Sequence, residues 1–136
     1  MNDKDLIVHK WMKKAENDFL CFSELSNSDF GLLENALFHG QQAMEKWLKA
    51  MLVFNGLNVE HTHDLFALIK LLEVEIPAIK KTDWRYLAGT LNFYAVQSRY
   101  PSDEIDENEL LTDIAIATIE LSKIKAFTEN HVMQSL

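Results

Sequence analysis

A bundle of α-helices is the fold class this sequence predicts, and three observations carry the prediction. Only 4 Gly and 2 Pro punctuate the 136 residues, too few for the many turns of an all-β chain. The longer segments are dominated by Leu, Ala, Lys, Glu and Met, which are good helix formers. Apolar residues recur every three or four positions in five separate segments, with no internal repeat. With 48 % hydrophobic and 25 % charged residues, the chain has the balance of a globular protein and the length to bury a core unaided. One domain is expected over residues 1–136, with its core from about residue 5 to about 128, folded as an up-and-down bundle of four to five helices.

The first helix is expected over Lys4 to Ser26, where Trp11, Ala15, Phe19, Phe22 and Leu25 form one apolar stripe. The turn-like run from Ser26 to Gly31 ends it. The second covers Leu32 to Asn55, with Ala36, Ala43, Trp47, Ala50, Met51 and Phe54 on one face, and Asn55-Gly56 stops it. Thr62 is the expected N-cap of a shorter third helix that carries Leu65, Leu68, Ile69 and Leu72 and ends before Pro77. The fourth begins near Asp83, turns Trp84, Leu87, Ala88, Leu91 and Ala95 inward, and stops near Arg99 because Pro101 disfavours helical geometry before it. Asp106 to Glu109 reads as a capping box for a fifth helix, Glu107 to Thr128, with Ile114, Ala117, Leu121 and Ile124 inward. The acidic run from Asp103 to Glu109 suits the positive end of that helix.

Charge and composition exclude several functions. The 13 basic and 21 acidic side chains leave a net charge of -8, which argues against nucleic acid as a general partner, although a local basic stripe stays compatible with it. No stretch reaches the roughly 20 apolar residues of a membrane span, and the start, MNDKDLIVHK, lacks the pattern of a secretory signal. Cytoplasmic residence is expected. The single cysteine, Cys21, lies among Phe19, Leu20 and Phe22 and reads as a buried, reduced thiol. There is no glycine-rich phosphate loop, no paired-cysteine motif and no nucleophile turn; His61 and His63 lack the further ligands of a zinc site. No metal and no cofactor are expected.

Three constellations can carry chemistry. His39, Gln42, Lys46 and Lys49 are spaced as one polar stripe on the second helix. They are either a solvated edge or donors to a phosphate, with Glu45 pointing further out and pairing with Lys49 one turn on. Thr62-His63-Asp64-Leu65 opens the third helix, either as caps or as amides and an imidazole near an anion. Arg99 falls toward the inner side of the fourth helix and needs a carboxylate or carbonyl partner, with Asp18, Glu45 and Asp64 as candidates; it is either a clamp between helices or an exposed guanidinium at a ligand groove.

In order along the chain stand Trp11-x3-Ala15-x2-Asp18, then Phe38-His39-x-Gln41-Gln42-x2-Glu45-Lys46-x2-Lys49-Ala50, then Thr62-His63-Asp64-Leu65 and Arg99-Tyr100-Pro101. This pattern resembles the HEPN family (higher eukaryotes and prokaryotes nucleotide-binding domain). The resemblance implies a helical bundle that commonly forms homodimers, encoded beside a minimal nucleotidyltransferase in a toxin–antitoxin-like or nucleotide-handling module. Together with the constellations above, it makes His39, Gln42, Lys46, Lys49, His63 and Arg99 the expected ligand-binding residues and Asp18, Glu45, Asp64 and Tyr100 candidate clamps between helices. Many HEPN proteins are metal-independent ribonucleases marked by an Arg followed four to six residues later by a His. Neither Arg85 nor Arg99 has such a His, which removes the usual proton carrier. The expectation is a nucleotide-binding or nucleotidyltransferase-partner module, catalytic residues none. An RNA-cleaving toxin that uses His39 or His63 with Arg99, and a purely structural dimer, are the alternatives.

Overall fold

A computed structural model describes residues 2–28, 32–97 and 105–133. These residues form five α-helices, α1 (Asp3–Ser26), α2 (Leu33–Phe54), α3 (Leu65–Glu75), α4 (Trp84–Gln97) and α5 (Glu107–Met133), with a short 3-10 helix at Pro77–Lys81. Contacts Phe22 to Gly40, Trp11 to Lys49 and Lys4 to Phe54 run in opposite order along α1 and α2, so the two are antiparallel. α2 packs against all four other helices.

That central position explains the largest difference from the sequence reading. A helix against one neighbour buries one stripe, and α2 was expected to do so. Surrounded by four, it buries most of its circumference, including Gln41, Glu45 and Lys49 as well as Ala43, Met44, Trp47, Leu48, Ala50, Met51 and Leu52. Gly40 lets the neighbours close in, since a Cβ there would meet Leu121 at 3.0 Å and Phe22 at 3.2 Å. The expected core residues of α3 and α5 are all buried, as are Trp84, Leu87, Ala88 and Leu91 of α4. α1 buries only Val8, Ala15 and Phe22 fully, with Trp11, Phe19 and Leu25 partly covered. Cys21 stands about 100° around the helix from Phe22 and is exposed, which corrects the expectation of a buried thiol.

Most ends obey local chemistry. α2 stops at Gly56, whose φ of 92° is the left-handed conformation glycine accepts, and Leu57 N donates to Leu52 O at 2.9 Å. Asp106 Oδ1 accepts from Asn108 N at 2.7 Å and caps α5. The cap of α3 is Asp64 instead of Thr62: its Oδ1 accepts from Phe66 N at 2.9 Å. α5 continues past Thr128 to Met133, because Val132 is buried and His131 Nε2 meets Asn55 Oδ1 at 2.8 Å. No helix among the described residues is long and apolar enough to cross a membrane.

Candidate functional site

The polar residues of α2 divide into two clusters about one turn apart, because different neighbours cover them. In the first, α1 supplies the carboxylate. Asp18 Oδ1 lies 3.0 Å from His39 Nδ1, and Asp18 Oδ2 accepts from Lys46 Nζ. A carboxylate only accepts, so Nδ1 carries the ring hydrogen and Nε2 is the basic site left to the imidazole. The side chains are 13 % (Asp18), 32 % (His39) and 20 % (Lys46) exposed, within reach of solvent.

In the second cluster the carboxylate is on α2 itself. Glu45, expected to point outward, is buried, and its Oε2 lies 3.4 Å from Lys49 Nζ and 3.3 Å from His63 Nδ1. The Lys49 ammonium is fully enclosed. It donates to the Glu60 carbonyl at 3.1 Å and sits 4.9 Å from the centre of the Trp11 ring. Every donor direction of a buried cation must be satisfied, and here a carboxylate, a carbonyl and an aromatic face do so. His63 is the exposed member. Together these bonds fasten the α2–α3 connection to α2.

Between the clusters opens a cleft of about 400 Å³. Trp11 and Phe38 are its aromatic walls, Gln41 and Gln42 its amides, and Lys46 and His63 its basic groups, with Glu45, Lys49 and Ala95 completing the lining. Gln42 Nε2 donates to Gln41 Oε1 at 2.6 Å, which orients both amides; Gln42 Oε1 and the Gln41 amide nitrogen have no other partner among the described residues. Of the residues singled out from sequence, Gln42, Glu45, Lys46, Lys49 and His63 therefore meet at one cleft. His39 stands behind Lys46 on the shared Asp18, and Asp64 is spent on capping α3. Asp18 serves α2, and Arg99 and Tyr100 lie outside the described residues. In the sequence, Trp11 reads as part of the apolar stripe of α1 and, like Phe38, as part of the family pattern; their use as cleft walls has no signature in spacing. The Glu60 carbonyl has none either, since any residue supplies one.

A separate polar contact joins α4 to α5. Tyr94 is buried and its hydroxyl donates to Asp113 Oδ2 at 2.5 Å. Burial, and then the bond to Asp113 and the nearby charges of Asp113, Glu109 and Glu34, push the phenol well above its usual range. Among the described residues no group of three or more His, Cys, Asp or Glu could hold a metal ion.

No curated protein and no solved structure gives a significant match to the chain. The family model described as HEPN domain matches residues 8–125, a span that takes in most of α1 and of α5, all of α2 to α4, both clusters and the cleft. With so much of its length matched, the chain belongs to the HEPN domain family.

Proposed function

We propose that the protein is a binding module for a nucleotide or another phosphorylated ligand, working beside a minimal nucleotidyltransferase in a toxin–antitoxin-like system in the cytoplasm. One observation carries this reading: two aromatic walls, two oriented amides and the Lys46 ammonium converge on a cleft of about 400 Å³, within the size range of small-ligand sites. Aromatic walls suit a base, glutamine amides suit its polar edge, and an ammonium suits a phosphate. Lys49 belongs to this site as a support, because its ammonium is already fully engaged. The missing Arg-x4-6-His spacing fits a binding role better than metal-free RNA cleavage. A homodimer is part of the same reading. The α4 stripe Tyr86, Phe93 and Val96 is exposed and offers an apolar surface to a second copy; sedimentation as a monomer at micromolar concentration excludes it.

The test is the thermal midpoint against a panel of nucleotides. A ligand at 100 times its dissociation constant adds about 2.7 kcal/mol of stability, so one nucleotide should raise the midpoint, and Lys46→Ala should abolish the rise. No shift across the panel sinks the ligand reading and leaves a protein partner. A second reading, an RNA-cleaving toxin, draws on the Asp18–His39 pair, whose geometry leaves the imidazole Nε2 able to take a proton. Growth arrest on expression that disappears with His39→Gln in a folded protein supports it; arrest unaffected by that change removes it.

A further inference from the structure

Trp11 is a shared wall. It also lines a second cleft of about 560 Å³ between α1 and the chain that leaves α2. Its floor and walls are apolar, from Ile7 and Trp11 of α1 and from Val53 and Leu57 across the gap. Its polar rim has Lys10 and Lys14 on α1 and Asn58 and Glu60 opposite. Nothing in the family pattern read from the sequence assigns this place a role.

Three features single it out. First, Lys10 and Lys14 are exposed, and among the described residues neither has a carboxylate within ion-pair distance, on a chain whose net charge is -8. Lys14 Nζ lies 5.8 Å from the centre of the Trp11 ring, and like charges four residues apart on a helix repel each other, so an anion between the two ammoniums relieves that repulsion. Two lysines against the single carboxylate of Glu60 leave the rim cationic. Second, the Trp11 ring is held in place, with Lys49 Nζ fixed 4.9 Å from its centre, so the wall is formed before any ligand arrives. Third, the cleft is larger than the motif cleft and more apolar in its lining, the combination expected of a site for a body of one or two rings with few polar anchors.

The geometry points to a second binding site here, for a small anion with a flat apolar body: an aryl or heteroaryl phosphate whose ring lies between Trp11 and the Val53–Leu57 side while its phosphate bridges Lys10 and Lys14. The linings of the motif cleft and this site share only Trp11, so changes at their lysines act separately.

Isothermal titration of the full chain with naphthyl phosphate, naphthol and inorganic phosphate tests it. The expected result is one naphthyl phosphate bound per chain, with naphthol and inorganic phosphate each binding at least about tenfold more weakly, since each keeps only one of the two contacts. The double change Lys10→Gln and Lys14→Gln touches only exposed side chains and leaves the fold intact by circular dichroism; it should weaken naphthyl phosphate by about tenfold or more. Lys46→Ala, in the motif cleft, should leave this affinity unchanged. Absence of naphthyl phosphate binding at millimolar concentration overturns the proposal. So does affinity that survives the double lysine change, or that falls with Lys46→Ala and not with the Lys10 and Lys14 changes, which returns the ligand to the motif cleft.

Discussion

The two clusters on α2 use the same chemical kit, a carboxylate, a lysine and a histidine, yet they are suited to different tasks. Around Asp18 all three side chains keep a share of solvent, and the carboxylate comes from a neighbouring helix. Around Glu45 the lysine is fully enclosed, the carboxylate lies one turn away on the same helix, and only His63 reaches water. The difference teaches that burial, more than residue type, separates a lysine that can exchange its partner for a ligand from one that holds the fold. On the proposed reading Lys46 lets go of Asp18 for a phosphate, with water and His39 left to cover the carboxylate. Lys49 cannot, because releasing Glu45 strands two charges in the interior.

The sharpest way to break this comparison is Lys49→Met. It leaves Glu45 buried without its cation and should cost about 3–5 kcal/mol in urea unfolding, whereas Lys49→Met combined with Glu45→Leu should recover most of that loss. If the single change costs no more than a surface substitution, the buried pair is not a support. The Tyr94–Asp113 contact extends the comparison to a buried neutral donor on a carboxylate. Tyr94→Phe should cost about 1.5–3 kcal/mol at neutral pH. Because the folded phenol titrates above its unfolded value, its contribution is fully present below about pH 10 and is lost as pH rises further. Stability curves of the two proteins should therefore converge in strong alkali; parallel curves refute the linkage. Lys46→Ala should cost only about 1 kcal/mol, since its ion pair is partly hydrated and Asp18 keeps His39. His63→Ala should change stability by no more than about 0.5 kcal/mol. A His63 effect as large as that of Lys49 would show that burial does not rank these groups.

Much of the fold was legible in residue order. Period and punctuation located all five helices, and the inward residues of α3 and α5 are those the spacing selects. Where reading failed, the reason was a neighbour. Glu45 belongs to a helix whose sequence shows one clear apolar face, and nothing local says that three other helices will cover the remaining sides. Cys21 sits among apolar residues in sequence, but sequence neighbours on a helix point 100° apart, and α1 has too few partners to cover that side. Thr62 and Asp64 are both good caps, and the choice between them rests on where the α2–α3 connection is tied down by Lys49 and Glu45.

The same division holds for the site. By itself the sequence determined that His39, Gln42, Lys46 and Lys49 share a helical stripe, because the period of the helix fixes that whatever surrounds it. It also carried the motif that places the chain in its family. Only the tertiary structure decided that Asp18 would gather His39 and Lys46, that Lys49 would close against Trp11 and the Glu60 carbonyl, and that Lys10 and Lys14 would find no acidic ion-pair partner among the described residues beside an apolar cleft. Charge partners and solvent exposure depend on chain segments far apart in sequence, and packing alone brings them together.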